Sequence, residues 1–183
     1  LRSACTEHGA LLVIDEVQTG FGRTGRLFAF EHHGVIPDIL TLAKSVAGGL
    51  PMGVTAFGET VGQLAKQSHT NTFGGNPLAC AVAERVIAHI VETDLPTRAA
   101  EHGQHLMNAL RGLSKPQVRE VRGLGLMIGI ELKQPAGKVA RSLMDEGVLA
   151  LLAGPKVLRL LPPLVIEASE VDQIVDAFGK VLT

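Results

Sequence analysis

The segment Ala10-Leu11-Leu12-Val13-Ile14-Asp15-Glu16 is a continuous apolar run of strand length that stops at two carboxylates. A strand with one solvent face alternates apolar and polar residues, whereas an unbroken run is buried on both faces, as in a parallel sheet covered by helices. The reading is therefore α/β, and a buried parallel strand needs neighbours. Two candidates follow in the same half, around Asp38 to Leu42 and around Met52 to Phe57, so the implied sheet is larger than these segments supply. Upstream, Leu1 to Gly9 reads as the tail of a helix stopped by a glycine, with no initiator methionine before it. The expectation is the C-terminal part of a longer protein.

Outward from that strand, residues 1–93 alternate strands with glycine-rich loops, a texture that places function at the strand ends. Asn76-Pro77 is an N-cap followed by proline at the first helical position, opening a helix with Leu78, Val82, Val86 and Ile90 in register. Asp94-Leu95-Pro96 interrupts it, and a second amphipathic helix carries Leu106, Leu110 and Leu113; residues 94–116 read as a bridge. Residues 117–183 form a small α+β domain: strands at Val118 to Val121, Leu126 to Leu132, Val148 to Leu152 and Val157 to Leu161, and a helix from Gly137 to Glu146. A last helix is announced by Ser169 with Asp172 three residues on.

Seventeen basic against 18 acidic residues give no field that would draw nucleic acid or an anionic membrane. Hydrophobic residues are 46% and charged ones 19%, enough for a packed core. No run is long enough to span a bilayer and none resembles a signal peptide, so the expected location is cytoplasmic. Cys5 and Cys80 are too far apart for a CxxC metal or redox site and read as reduced thiols.

Gly20-Phe21-Gly22-Arg23-Thr24-Gly25 matches the dinucleotide-binding pattern GxGxxG. Its context argues against that reading: Asp15 and Glu16 lie where phosphate would arrive, and Gly34 and Pro37 leave no room for the long helix that should follow. A second cluster, Gly123, Gly125 and Gly129, lies in a strand pattern, where bulges or close packing explain it as well as a ligand does.

Lys44 ends an apolar stretch and leads into Gly48-Gly49-Leu50-Pro51. Desolvation there would make its amine a nucleophile able to form a Schiff base, although a lone lysine at a strand end far more often snorkels to solvent. The neighbours favour the chemistry. Asp15, ending the previous strand, suits a carboxylate that keeps a pyridine nitrogen protonated, and Thr72-Phe73-Gly74-Gly75-Asn76-Pro77 suits a phosphate-binding loop.

These residues resemble the class III, fold type I, pyridoxal 5'-phosphate-dependent aminotransferases. Asp15-Glu16-Val17-Gln18-Thr19-Gly20 with Gly22-Arg23-Thr24-Gly25, and Pro37-Asp38-Ile39 through Lys44, are similar to two long segments of that family. The resemblance implies the C-terminal part of its mostly parallel large domain, followed by the small domain. It makes Lys44 the Schiff-base lysine and proton shuttle, Asp15 the partner of the pyridine nitrogen, and Gln18 a neighbour of the cofactor's phenolic oxygen. Thr72 would reach the phosphate of the partner subunit's cofactor, which implies a homodimer. The glycines after Gln18 would then shape a turn.

Val118 to Gly129 and Val157 to Leu164 resemble most the N-acetylornithine branch, and equally the enzymes acting on carrier-linked precursors such as LysW-linked aminoadipate semialdehyde. The family implies that Arg159 binds the substrate α-carboxylate, a task suited to a guanidinium, while an edge-strand arginine paired with a glutamate is the alternative. Expected substrates are an amino acid and a 2-oxo acid, 2-oxoglutarate by analogy, with a carrier protein as a possible partner and no metal. Ornithine and 4-aminobutyrate aminotransferases, decarboxylation or racemisation on the same fold, and a non-catalytic module are the rival readings. Glu16 is expected to pair structurally on the opposite face from Asp15. His69, His102 and His105 read as solvated. The phosphate loop at a helix N-terminus and the ring-stacking aromatic would lie upstream.

Overall fold

The computed structural model describes residues 1–66 and 68–182. They divide into two compact units, one of Leu1–Phe21 and Arg26–Asp94, the other of Gly22–Gly25 and the chain from Leu95 onward. In the first unit, helix α1 (Arg2–Glu7) precedes a three-stranded sheet of β1 (Val13–Asp15), β2 (Ile39–Leu42) and β3 (Val54–Phe57), and helix α2 (Pro77–Glu92) closes the unit. The strand order is β1-β2-β3. β1 and β2 are parallel, as expected, with Asp15 opposite Thr41; β2 and β3 are antiparallel, making the sheet mixed.

The expected burial of β1 on both faces is corrected: Val13 is 54% exposed and Leu11 also lies open. Burial of a strand is supplied by the elements around it, and among the described residues β1 has a strand on one edge only. β2 does carry buried Leu40 and Leu42, and Val46 and Ala47 follow them into the core. On α2 the predicted stripe sinks progressively, from exposed Leu78 through half-buried Val82 and Val86 to buried Ile90. The predicted cap is present: Asn76 Oδ1 accepts the Ala79 N–H at 3.1 Å, with Pro77 at the first helical position.

The second unit is a four-stranded antiparallel sheet in the order β4-β5-β7-β6, built from β4 (Val118–Leu124), β5 (Met127–Leu132), β6 (Leu151–Leu152) and β7 (Val157–Leu160). Ile128, Ile130 and Leu132 alternate with half-buried residues, so one face of β5 meets the core. Against that face pack α3 (Leu95–Gly112), α4 (Gly137–Asp145) and α5 (Ala168–Val181), through Leu106, Leu110, Leu143, Val171 and Phe178. Two boundaries are corrected. Residues 148–150 leave α4 through Gly147 at φ +83° with the Val148 N–H on the Leu143 carbonyl, so the strand pairs only at Leu151–Leu152. The last helix starts at Ala168 rather than at a Ser169 cap, because Glu170 accepts the Glu167 N–H at 2.8 Å and moves the capping box two residues earlier.

Packing explains two of the three glycines, Gly123 and Gly125, whereas a Cβ on Gly129 would meet only ordinary contacts. A Cβ on Gly125, which sits at φ +52°, would lie 2.5 Å from the Thr24 carbonyl carbon, and a Cβ on Gly103 of α3 would overlap the Gly125 carbonyl oxygen. The Gly22–Gly25 segment thus lies against α3 and the turn between β4 and β5. Arg23 secures it, donating to the carbonyls of Leu126 at 3.2 Å and Pro162 at 2.5 Å, while the Leu126 N–H returns to the Arg23 carbonyl at 3.0 Å. Burial pulls this guanidinium's pKa down from its ordinary value. Among the described residues no helix is long and apolar enough to cross a membrane.

Candidate active site

In the first unit the site is set by the ladder between β1 and β2. Asp15 is the last residue of β1, exposed, and in register with Thr41. Because the strands run parallel, the chain leaving β2 at Leu42 reaches Lys44 two residues later, beyond the same end of the sheet as the Asp15 carboxylate. Asp15 Oδ1 accepts the Val17 N–H at 2.8 Å, which fixes the carboxylate over the turn that follows.

The turn itself hangs from Glu16. That side chain is 2% exposed, accepts the Phe30 N–H at 2.9 Å and is hydrogen-bonded by the Thr19 hydroxyl, while the Gly20 N–H closes onto its carbonyl at 3.0 Å. The Glu16 N–H also extends the ladder to the Thr41 carbonyl at 2.9 Å. Glu16 is therefore the structural carboxylate the alternation predicts, and its turn carries half-buried Gln18, three residues after Asp15.

Lys44 opens a short 3-10 helix, Lys44–Ala47, at φ +45°, a left-handed conformation that a side chain with a Cβ rarely adopts. Val46 and Ala47 anchor the turn in the core, and Gly48, also left-handed, packs so closely that a Cβ there would lie 3.1 Å from Val86 of α2. The lysine is exposed, and among the described residues its ammonium has no hydrogen-bond or ion-pair partner. This corrects the expectation of a desolvated amine at a buried strand end: the left-handed step carries the side chain out of the sheet.

Thr72 lies in an exposed loop ordered by an Asx turn, with the Phe73 N–H on Asn71 Oδ1 at 2.9 Å and the Gly74 N–H on the Asn71 carbonyl at 3.1 Å. No hydrogen bond among the described residues joins it to Asp15, Gln18 or Lys44. Arg159 belongs to the second unit, half-buried in β7 opposite Gly129 of β5 and Leu151 of β6. His69 is exposed, and His105 pairs with Asp172 at 3.2 Å on the outside of the second unit.

Sequence reasoning gave Asp38 and Arg23 no separate role. Asp38 is a buried carboxylate that accepts the Leu12 N–H at 2.7 Å, Arg2 at 2.6 Å and the Thr60 hydroxyl at 2.9 Å. Its signal was an acid directly after Pro37 at the mouth of a strand.

Residues 1–182 match the family described as aminotransferase class-III. The chain is 48% identical over 99% of its length to the [LysW]-aminoadipate semialdehyde transaminase of Deinococcus radiodurans, covering 43% of that protein. It is 47% identical over 98% of its length to the acetylornithine aminotransferase of Methanosarcina acetivorans, covering 45% of it. Among solved structures, the acetylornithine aminotransferase of Elizabethkingia anophelis superposes with a TM-score of 0.93 at 33% identity, over 98% of this chain and 49% of that one. The ornithine delta-aminotransferase of Plasmodium falciparum gives 0.92 at 32% identity, over 99% and 48%. The chain thus spans less than half the length of the curated relatives it matches.

Proposed function

The chain belongs to the class-III aminotransferases, and from that premise we propose that the whole protein is a transaminase of arginine or lysine biosynthesis. It moves the terminal amino group of N-acetylornithine, or of a related blocked ornithine or lysine precursor, to 2-oxoglutarate. The observation that carries the reading is the Asp15 to Thr41 register, which brings a carboxylate and Lys44 to one end of adjacent strands.

The residues fit the family's cofactor, pyridoxal 5'-phosphate. Among the described residues, Asp15 is an exposed acid without a cationic partner and Lys44 an exposed amine without a partner, both on strongly held turns, a donor set suited to a pyridine nitrogen and an aldehyde. When bound, the cofactor supplies an electron sink that makes the substrate's carbon acid enough to lose its proton. Asp15 would keep the ring nitrogen protonated, and Gln18 would face the phenolic oxygen. Lys44 would hold the aldehyde and then move a proton at the substrate carbon through Nζ. Thr72 would contribute to the phosphate of the partner subunit's cofactor in a homodimer, and Arg159 would take the α-carboxylate.

Residues 1–93 are assigned to the large domain, 94–116 to the bridge and 117–183 to the small domain, in a cytoplasmic enzyme. The blocked substrate is supported by identities of 47–48% to curated relatives named for such substrates. A carrier protein presenting the substrate is the corresponding reading for the lysine branch.

Borohydride reduction of the full-length protein followed by peptide mapping should leave a pyridoxyl adduct on Lys44. Lys44→Ala should lower kcat by more than about a hundredfold with the fold intact by circular dichroism. An adduct elsewhere, or retained turnover, would overturn the assignment. Amino-group transfer measured with N-acetylornithine, ornithine and 4-aminobutyrate separates the branches.

A further inference from the structure

The face of the second sheet opposite its helices carries a row of charge of which the proposed reaction uses only Arg159. Ile128, Ile130 and Leu132 point to the core, so Gly129 and Glu131 lie on the other face. In register across β4, β5 and β7 stand Arg122, Gly129 and Arg159, so two arginines flank a position with no side chain. Beside that row, Glu131 pairs with Val157, which makes Arg159 its diagonal neighbour, about 7–8 Å away at the backbone and within reach of two long side chains.

Glu131 is engaged in the other direction. Arg119 Nη1 donates to one of its oxygens at 3.0 Å and Arg122 Nη1 to the other at 2.8 Å, with Arg122 also on Glu120 at 2.8 Å. A break in the ladder between Val118 and Glu120 adds a residue to β4 here and lets both arginines converge on one acid. The Glu131 side chain is only 21% exposed, and the Arg122 contact holds its pKa below the usual carboxylate range. It therefore remains an anion beside Arg159 throughout the neutral range.

We propose that Arg119 and Arg122 are positioning residues for substrate binding: by occupying both oxygens of Glu131 they keep that anion from competing with the substrate carboxylate for Arg159. Gly129 contributes by leaving the space between the two arginines unfilled. The inference rests on Arg159 being the carboxylate anchor, and the test separates the two claims. The arginine ends of these pairs are exposed, at 71% for Arg119 and 46% for Arg122, so solvent screens them and weakening them should leave the fold intact and act on binding.

In the full-length enzyme, Arg159→Ala should raise KM for the amino acid donor about tenfold or more. If it does not, the anchor assignment fails and the inference falls with it. Arg119→Gln with Arg122→Gln should raise KM about tenfold with kcat within about twofold, and adding Glu131→Gln should return KM to near wild type. A structural role predicts no such rescue, because removing a third partner cannot restore lost packing. If Arg159→Ala weakens binding while the double variant leaves KM unchanged, or if Glu131→Gln fails to rescue it, the positioning role is wrong and the anchor stands. Circular dichroism on each variant checks folding, and the single Arg122→Gln with Glu131→Gln pair gives a second cycle should the double variant not fold.

Discussion

Lys44 holds φ +45° although it carries a Cβ, and the cost of that conformation is met by the buried turn behind it. The strain belongs to the backbone and not to the amine, which yields a matched comparison. Lys44→Ala and Lys44→Gly both remove the amine, but only glycine relieves the left-handed step. Lys44→Gly should therefore be more stable than Lys44→Ala by about 1 kcal/mol in denaturant unfolding of the full-length protein, with both inactive. Equal stabilities would mean that the turn relaxes around the substitution. That Asp15 and Lys44 lie at the same end of parallel β1 and β2 was legible because an apolar run closed by a carboxylate, and another leading into turn glycines, are short-range patterns. The exposure of Lys44 was not, since desolvation is supplied by neighbours that no local pattern names. Arg23 was hidden for a related reason: its partners, the carbonyls of Leu126 and Pro162, lie more than a hundred residues away.

Elements were read well where a local chemical signal marks them. Asn76-Pro77 placed the start of α2, and the apolar spacing on α3 placed its buried side. The last helix was misplaced by two residues because a pair of glutamates made the box that a serine was expected to make. The glycines of the second unit were legible only as a question, since a bulge and a close contact leave the same mark in a sequence. Their answer is steric: α3, the Gly22–Gly25 segment and the turn between β4 and β5 approach at Gly103 and Gly125 with no room for a methyl group. Gly103→Ala should destabilise the second unit by about 3 kcal/mol, since backbone would have to move, whereas Gly137→Ala, with open space around it, should change stability by less than about 1 kcal/mol. Hydrogen exchange across β4 and β5 distinguishes the two; similar protection in both variants would show that the contact yields at little cost.

At the scale of the whole molecule, each unit has to hold itself together, and in the first unit Asp38 ties segments that strand pairing alone does not. It joins Arg2 of α1, the backbone of Leu12 before β1 and Thr60 beyond β3, drawing on residues up to 36 apart in sequence. The Leu12 N–H, the Arg2 guanidinium and the Thr60 hydroxyl, in that order, bring its pKa down from 3.8 to about 2 against the opposing effect of burial. A carboxylate whose folded pKa is depressed stabilises the folded state fully above its unfolded pKa, and that contribution is lost as pH falls through the folded value. The window therefore runs from about pH 4 down to about pH 2. Wild type should lose stability more steeply than Asp38→Asn across this range, while above about pH 5 Asp38→Asn should be the less stable of the two by a constant amount. Hydrogen exchange should locate the difference in α1, β1 and β2 and leave β4 to β7 unchanged, because every partner of Asp38 lies in the first unit. Parallel acid profiles for the two proteins would show that the carboxylate's partners persist in the unfolded chain, and a difference spread over both units would show that the first unit does not open without the second.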